Sequence, residues 1–477
     1  MKRKVLVIGL DGATFAILMP WIEQGKLPTL AKIKNNGVYG NLKSTIPPIS
    51  SPAWPSFFTG NNPGKHGIFG FQNCNKKTME AKINLGSEVK GKKLWEILSE
   101  EGKKVIVMNV TMTYPPEKVN GVLISGALSY EISVYPEKLK PWLEEQGYLV
   151  EGKGWMNTKK KEFLKDLYAT TDKRVEVAIK LMDKEPDWNF FMLLISGTDR
   201  IQHYLWKDMA EKNSRYGDAL LNYYQHVDQL LGKLIKKAGR DTTIIILSDH
   251  GFGRLKKRVH IDNWLEKEGY IKVELTPKNI LVRIQLYLSG ILKITKISEL
   301  TRQIILFSGR KSSQLKPEKL EINFKRTKAF TCGYYDGQIY LNPNLSEEEY
   351  KKTRNELIKK LSQLKDSSNG KKVFKKIYRK EEVYQGPYLD EAPDIVFLPA
   401  DEYWVVGGFN YPFLFENTQR ETGRHKLNGI FLASGKKIKK GIKIKKANLM
   451  DVAPTILKIF NISAKEMDGK ILEIFRK

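Results

Sequence analysis

The stretch "TIIILSDHGFG", residues 243–253, decides the fold, because in it an apolar strand leads directly to two polar side chains. Its first five residues, Thr243 to Leu247, offer methyl-rich surface and have high strand propensity. Asp249 and His250 then stand side by side and are followed at once by Gly251. An acid and an imidazole at the end of an apolar strand indicate a polar site at the edge of a buried sheet.

Three earlier segments share this apolar character, namely "KVLVIGL" (4–10), "KKVIVMNV" (103–110) and "WNFFMLLIS" (188–196). Helical patterns lie between the strands, at 161–183 and 215–238. Uniformly apolar strands that alternate with helices are typical of a parallel sheet covered on both faces. The sequence therefore predicts an α/β fold with a doubly wound, mostly parallel sheet and helices on both faces. Later strands are predicted at 391–399 and 427–435, and a closing helix at 448–460.

Residues 272–325 interrupt this alternation, and we predict that they form a helical, basic insertion that acts as a cap. The rest of the chain, 1–271 and 326–477, then forms the main domain. The insertion begins with "NILVRIQLYLSGILKITKISEL" (279–300), in which charges break every apolar run before it reaches the length of a membrane span. Two interpretations stay open: a helix packed on the main domain, or a peripheral contact of 280–297 with an anionic membrane.

The composition limits the classes of partner. Lys and Arg number 81 against 53 Asp and Glu, which gives a formal net charge of +28 and suits nucleic acid, an anionic membrane or a phosphate-bearing substrate. No segment resembles a nucleic-acid-binding module. Cys74 and Cys332 have no metal or redox spacing, which argues against a disulfide scaffold and fits a reducing interior. The apolar run after "MKRK" is too short for a signal peptide, so we expect a cytoplasmic protein.

Acids and imidazoles recur at the predicted strand ends, and the carboxyl ends of parallel strands meet in one crevice. Without a cation, these side chains would bury like charges at one place. A pair of divalent metal ions removes that repulsion, and nitrogen and oxygen ligands suit zinc, with manganese as the alternative. The sequence therefore predicts two metal ions held by Asp11, Asp199, His203, Asp249, His250 and His425.

A second dense stretch, "TIPPISSPAWPSFFTGNNPGKHGIFGF" (45–71), supplies a nucleophile. Ser50 and Ser51 lie in a proline-rich loop ahead of a helix predicted around 53–59. A serine at a helix N-terminus is usually a cap. Beside two metal ions, however, its hydroxyl can lose a proton and attack phosphorus, while the helix N-terminus donates to a phosphate oxygen.

Five segments, in this order, resemble the type I phosphodiesterase/nucleotide pyrophosphatase family of the alkaline phosphatase superfamily. They are "VIGLDG" (7–12), "SSPAWPSFFTGNNPGKHGI" (50–68), "GTDRIQHYLW" (197–206), "LSDHGF" (247–252) and "GRHKLNGIFLASG" (423–435). The resemblance covers residues 1–270 and roughly 325–472, and it implies an alkaline phosphatase-like fold. It also implies that Asp11, Asp249, His250 and the nucleophile hold one metal ion and that Asp199, His203 and His425 hold the other.

The resemblance implies a metal-dependent hydrolase of phosphodiester or pyrophosphate bonds that acts on a small phosphorylated substrate through a phosphoserine intermediate. Aligned with the family, the nucleophile falls on Ser50, and Ser51 is the alternative. The family commonly has an asparagine soon after its His-Gly-Ile stretch, whereas this chain has Phe71 there and Asn73 two positions later. Asn73 and Trp54 are therefore the candidate substrate-binding residues.

Other functions stay open at this point. A phosphomonoesterase or phosphomutase of the same superfamily uses the same metal pair. A sulfatase would need an arginine where Trp54 stands. A non-catalytic protein could bind anions or membranes through the net positive charge. Aromatic side chains near the nucleophile favour phosphodiesters over monoesters, and these are Trp54, Phe57, Phe69 and Phe71.

Overall fold

The structure, a computed structural model, describes residues 3–126, 131–151, 159–211, 214–294 and 320–476. Its strands are β1 (Val5–Leu10), β2 (Gly37–Lys43), β3 (Gln72–Asn75), β4 (Glu80–Ile83), β5 (Val105–Val110), β6 (Gly121–Ser125), β7 (Val134–Tyr135), β8 (Phe190–Ile195), β9 (Thr243–Leu247), β10 (Gly251–His260), β11 (Ala329–Thr331), β12 (Ile339–Leu341), β13 (Phe374–Arg379), β14 (Ile395–Pro399), β15 (Glu402–Val406), β16 (Phe415–Asn417), β17 (Gly423–Lys426), β18 (Asn428–Ser434) and β19 (Ile442–Lys443).

The α-helices of the described residues surround these strands. They are α1 (Phe15–Glu23), α2 (Pro28–Asn35), α3 (Ser50–Thr59), α4 (Pro63–His66), α5 (Leu94–Glu100), α6 (Lys140–Glu145), α7 (Lys160–Lys184), α8 (Gly197–Glu211), α9 (Ala219–Ala238), α10 (Ile261–Lys267), α11 (Pro277–Ile294), α12 (Glu347–Gln363) and α13 (Val452–Phe460).

A nine-stranded sheet forms the centre, in the order β19-β2-β18-β9-β1-β8-β5-β6-β7. The strands β9, β1, β8, β5 and β6 run parallel, whereas β18 pairs antiparallel with both β9 and β2. The predicted α/β class is confirmed, with a mixed sheet in which the parallel strands occupy the middle.

Both faces of the central sheet are buried, as the apolar strands require. In β1, Leu6, Ile8 and Leu10 pack into one hydrophobic cluster, while Val5 and Val7 pack into the cluster on the opposite face. Alternate residues of a strand point to opposite faces, so a strand buried on both sides reads as one continuous apolar run. This is why the strands were recognisable from the sequence.

A second, smaller layer forms from the later part of the chain. Its four-stranded sheet has the order β11-β12-β14-β13, and a separate hydrophobic cluster fills it. The strand predicted at 391–399 therefore does not extend the main sheet: as β14 it pairs antiparallel with β13, with Ile395 opposite Arg379. An apolar run reports burial on both faces but does not identify the partner strand. The division into a main domain and a 272–325 insertion stays a prediction.

The helical start of the predicted insertion is α11, whose contact with the body of the protein is partial. Val282 and Asn279 are buried, and the Tyr287 ring packs on Phe413 with centroids 5.6 Å apart. Residues 295–319 of the insertion lie outside the described residues. Within the described part of the chain, every helix is too short or too polar to cross a lipid bilayer.

Candidate metal centre and cleft

Strand register brings the first two acids together. In the parallel pair of β1 and β9, Gly9 lies opposite Leu247. Asp11 and Asp249 each follow two residues after these partners, so both emerge at the same level of the sheet edge. Asp249 Oδ1 accepts a hydrogen bond from the Gly12 N–H at 3.2 Å, and both carboxylates are buried.

The next parallel strand, β8, brings the third acid. Asp199 lies in the first turn of α8, just after that strand ends. Its Oδ1 is 3.4 Å from His203 Nε2 and 3.2 Å from His425 Nε2. His203 and Asp199 are four residues apart on one helix, so they share a face. His425 arrives from β17, where it pairs with Phe252 of β10.

The hydrogen bonds of the three histidines fix where their protons lie. The Nδ1 atom of His203 is 2.9 Å from the Gly423 carbonyl, that of His250 is 3.1 Å from the Gly251 carbonyl, and that of His425 is 3.1 Å from the Pro48 carbonyl. Carbonyl oxygens only accept, so each Nδ1 carries a proton, and each Nε2 is the nitrogen directed at the centre, where it can bind a proton or a metal ion. Metal-binding histidines are held in this way.

The chemistry of the resulting cluster calls for a cation. His203 Nε2 and His425 Nε2 face each other at 2.9 Å, so a proton or a metal ion must separate their lone pairs. Asp199 Oδ1 and Asp249 Oδ2 are buried and accept no hydrogen bond. Buried carboxylate oxygens without a partner are strongly disfavoured unless a positive ion neutralises them. The residues therefore fit a divalent metal site.

Two groups of side chains have ligand atoms close enough to share one ion. In each of them the candidate atoms lie within 4.8 Å of one another, and the groups are Asp11, Asp249, His250 and Asp199, His250, His425. The rings of His250 and His425 stack with centroids 3.8 Å apart, so the two groups are adjacent. All six ligands predicted from the sequence meet in one place, and their division between two ions stays a prediction.

The pKa shifts follow from this crowding. Burial and the carboxylates of Asp249 and Asp199 raise the pKa of Asp11 well above its ordinary value. Burial lowers the pKa of His203, but the carboxylates of Asp199 and Glu421 outweigh it and raise that pKa to about 9. The cluster thus binds protons where a metal ion would otherwise supply positive charge.

The structure separates the two candidate nucleophiles. Ser50 is the first residue of α3, three residues earlier than the predicted start of this helix. Its Oγ lies 3.2 Å from His250 Nε2 and 3.5 Å from Asp11 Oδ1. Ser51 is fully buried, and its hydroxyl has no hydrogen-bond partner. Ser50 alone of this pair contacts the candidate metal ligands.

The two candidate substrate-binding residues are placed differently from their predicted role. Trp54 is fully buried, and its indole N–H donates to Asp11 Oδ2 at 3.4 Å, so it offers no surface to a substrate. Asn73 donates to the Gly67 carbonyl and accepts from the Phe69 N–H, so its amide holds the glycine turn. Both side chains support the site from behind instead of lining it.

The aromatic residues expected around the nucleophile mostly belong to the core. Phe57 is fully buried because α3 is buried on all sides, and Phe69 is 2% exposed because it packs on Tyr384. Phe71 does line the cleft, and its ring packs on that of Tyr335 with centroids 5.7 Å apart. Of the four aromatic residues that the sequence places near the nucleophile, Phe71 lines the cleft. The aromatic residues after 330 that also line it were not predicted.

A cleft with a volume of about 760 Å³ opens beside the metal ligands. Three arginines line it, and each is paired with an acid: Arg200 with Glu151, Arg258 with Glu421 at 2.8 Å, and Arg424 with Asp336 at 2.8 Å. Sequence reasoning missed these residues. Arg200 and Arg424 stand next to predicted ligands, so a search of the ligands' sequence neighbours would have found them.

Glu421 is a further residue that the sequence did not reveal. Its Oε1 lies 2.9 Å from His203 Nδ1, so together with the Gly423 carbonyl it orients the imidazole. A carboxylate behind a ligating histidine raises the basicity of the ligand. Its position four residues before His425 was the available signal.

The remaining histidines lie away from the cluster. His66 is buried and accepts from the Ile68 N–H through Nδ1, so it supports the glycine turn as the sequence suggested. His226 of α9 pairs with Asp172 of α7. His260, the last residue of β10, contacts Glu416 of β16.

Comparison with known proteins agrees with this geometry. The family model "type I phosphodiesterase / nucleotide pyrophosphatase" matches residues 5–428. No curated protein sequence matches the chain. Human ectonucleotide pyrophosphatase/phosphodiesterase 5 has a similar structure, with a TM-score of 0.58, 14% identity, and coverage of 98% of this chain and 97% of that one. Phosphonoacetate hydrolase from Sinorhizobium meliloti gives a TM-score of 0.61, 14% identity, and coverage of 95% and 94%.

The structural likenesses establish the fold, and the family match establishes the chemistry. Members of the family hydrolyse phosphodiester or pyrophosphate bonds of small phosphorylated substrates and generally depend on divalent metal ions. The chain belongs to the type I phosphodiesterase/nucleotide pyrophosphatase family and is a hydrolase of phosphoric ester or anhydride bonds.

Proposed function

We propose that the protein is a two-metal phosphodiesterase whose nucleophile is Ser50 and whose metal ions are zinc. The observation that carries this proposal is the convergence of unpartnered carboxylate oxygens and imidazole lone pairs beside the Ser50 hydroxyl. The mixture of nitrogen and oxygen donors suits zinc, and manganese is the alternative. Bound divalent ions would stabilise negative charge on the phosphoryl oxygens and lower the pKa of a neighbouring hydroxyl.

The proposed ligand sets follow the two sides of the cluster. Asp11, Asp249 and His250 hold one ion together with the Ser50 oxygen. Asp199, His203 and His425 hold the second ion. His250 lies within reach of both sets, since its ring stacks on that of His425.

The side chains around Ser50 prepare it for attack on phosphorus. Its hydroxyl hydrogen faces two acceptors, Asp11 Oδ1 and His250 Nε2. The N-terminus of α3 presents backbone N–H groups that have no partner within the helix, and these can donate to a phosphate oxygen. Ser50 displaces the alcohol or phosphate leaving group to give a phosphoserine, and a water molecule then hydrolyses it to restore the hydroxyl.

The cleft favours a diester over a monoester. A monoester dianion needs an additional free cation, but Arg200, Arg258 and Arg424 are each neutralised by a carboxylate. Phe71 and Tyr335, whose rings pack on each other with centroids 5.7 Å apart, instead offer aromatic surface along the cleft lining to a second ester group. A phosphomonoesterase or phosphomutase remains the second candidate. Murine ectonucleotide pyrophosphatase/phosphodiesterase 5, solved in an inactive form with AMP, has a similar fold with a TM-score of 0.56 and 14% identity, covering 98% of this chain and 97% of that one.

We also propose that α11 contacts an anionic membrane surface. Ile280, Leu281, Ile284 and Tyr287 are each about half exposed, and Leu288 is 43% exposed. The sequence from 275 to 298 contains no acidic residue, while the chain as a whole carries a net charge of +28. An apolar helix face on a basic protein binds where anionic lipids meet water.

Two surface ion pairs of α11 also support the proposed membrane contact. Lys278 and Arg283 pair with Glu321 and Glu266 at the surface, and exposed pairs of this kind are weak enough to exchange for lipid phosphates. Residues 295–297 of the predicted contact lie outside the described residues. A cytoplasmic location stays a prediction, and recovery of the protein from the secreted fraction of its cells would contradict it.

Replacing Asp249 with Asn tests the metal site without any assay of activity. In the metal-free protein, Asn should raise the melting temperature by about 3 °C, because it removes one of three buried carboxylates and its amide can donate to the His250 lone pair. Zinc should raise the melting temperature of the wild type by more than that of the variant.

Differential scanning fluorimetry with and without zinc measures both effects. Asp241→Asn, at a surface residue paired with Lys436, is the matched control and should change neither value. A metal-free Asp249→Asn protein that melts below the metal-free wild type, with an unchanged zinc shift, would rule out the site.

Ser50→Ala should lower kcat by at least about a thousandfold while leaving two metal ions per chain, because only the nucleophilic oxygen is removed. Ser51→Ala is the control, since the Ser51 hydroxyl is buried without a partner, and this variant should keep the wild-type rate. Steady-state kinetics and elemental analysis measure the two quantities. Turnover by Ser50→Ala at the wild-type rate would exclude Ser50 as the nucleophile.

The zinc-loaded enzyme should hydrolyse bis(4-nitrophenyl) phosphate with a kcat/KM at least about tenfold above that for 4-nitrophenyl phosphate, because the cleft arginines are already neutralised. Absorbance at the nitrophenolate band measures both rates, and the comparison is repeated with manganese. A faster reaction with the monoester under both metals would favour the phosphomonoesterase candidate.

Ile284→Glu should weaken binding to phosphatidylglycerol vesicles by about tenfold, because a charge replaces an apolar side chain in the contact face. Sedimentation with phosphatidylglycerol or phosphatidylcholine vesicles at two salt concentrations measures the affinity. Ile471→Glu is the matched control, since Ile471 is similarly exposed but lies elsewhere. Equal binding by both variants and the wild type would count against α11 as the contact.

A further inference from the structure

The two cysteines of the chain, remote in sequence, meet in the folded protein. Cys74 lies in β3, and Cys332 directly follows β11. Both belong to the hydrophobic cluster of the second layer, and both are free thiols. A hydrogen bond between the two thiols is the largest of the causes that raise the pKa of Cys332, followed by burial.

Contacts between the residues just before Cys74 and those just after Cys332 show that the two segments run next to each other. Gly333 lies so close to Gln72 that a Cβ atom there would be 2.2 Å from the Gln72 Oε1 atom. The rings of Phe71 and Tyr335 are 5.7 Å apart. The approach of Cys74 and Cys332 is therefore part of a longer contact and does not depend on one side-chain rotamer.

We propose that Cys74 and Cys332 form an intramolecular disulfide when the protein meets a low-molecular-weight disulfide, and that this bond fastens the mouth of the catalytic cleft. The thiolate of one of the two cysteines attacks the small disulfide and releases one small thiol. The other cysteine then displaces the second small thiol from the first. Two protein thiols and one small disulfide give one protein disulfide and two small thiols, which balances atoms and electrons.

The position of this bond gives it a consequence for the cleft. Phe71 and Gln72 line the cleft just before Cys74, and Tyr334 and Tyr335 line it just after Cys332. The next residue, Asp336, holds Arg424 beside the candidate ligand His425. A covalent link between the segments would hold them together at this part of the cleft lining, where noncovalent contacts join them in the reduced protein. Oxidation should therefore restrict bulky substrates more than small ones.

Thiol counting on the metal-loaded wild-type protein tests the bond directly. After treatment with oxidised glutathione and removal of the reagent, denatured protein should lose both of its two free thiols and remain a monomer. Its mass should fall by two hydrogens, and a peptide map should contain a Cys74–Cys332 cross-link. The melting temperature should rise by about 5 °C, and dithiothreitol should reverse every change.

Variants separate the disulfide from other effects of the oxidant. Cys332→Ser and Cys74→Ala should each show neither the cross-link nor the rise in melting temperature. In the oxidised wild type, kcat/KM for a bulky aromatic phosphodiester should fall, while that for a small dialkyl phosphodiester stays the same. Two remaining free thiols, two bound glutathione molecules, a disulfide-linked dimer, or equal effects on both substrates would each overturn the proposal. The thiol count does not depend on catalysis, so it stands apart from the test of the Ser50 mechanism.

Discussion

The structure is organised around a concentration of carboxylates and imidazoles that bound protons or a divalent cation must neutralise. Asp11 and Asp249 are buried and Asp199 is partly buried at neighbouring strand ends, and Asp199 and Asp249 each have an oxygen atom without a hydrogen-bond partner. Burying such groups unpaired costs several kcal/mol each. The fold carries this cost because the parallel register of the core strands places their ends at the same edge of the sheet. Divalent ions, on which members of the family generally depend, would therefore also stabilise the folded protein at this place.

The imidazoles extend this constraint to the rest of the molecule. Their Nδ1 atoms bond to carbonyls of Pro48, Gly251 and Gly423, which belong to three separate segments. His425 reaches the centre only because β17 pairs with β10, the strand that leads from the main sheet to the second layer. The second layer is therefore tied to the metal ligands through β10, and a shift of this layer would move a ligand.

The parts of the site that could be predicted are those set by the main sheet. Asp11 and Asp249 follow continuous apolar runs, and the rule that strand ends converge was enough to bring them together. Glu421 and Arg258 could not be found this way, because Arg258 lies in β10 and Glu421 just before β17, and no strand end of the main sheet marks the pairing of these two strands. Trp54 was predicted to contact substrate, but α3 is buried on every side, so its aromatic residues pack into the core. The sheet to which β14 belongs could not be predicted either, since an apolar run does not identify its partner strand.

The net charge of +28 contrasts with the balance of charge inside the cleft. Arg258 and Arg424 share Glu421, and Asp336 and Glu416 add further negative charge around them. Most of the lysines in 436–446 are instead exposed at an edge of the main sheet and do not line the cleft. Attraction of an anionic substrate can thus act over the whole surface, while recognition at phosphorus depends on the ions. What remains for the cleft walls is shape and aromatic contact, and the segments that carry Cys74 and Cys332 supply most of the aromatic side chains, namely Phe71, Tyr334 and Tyr335.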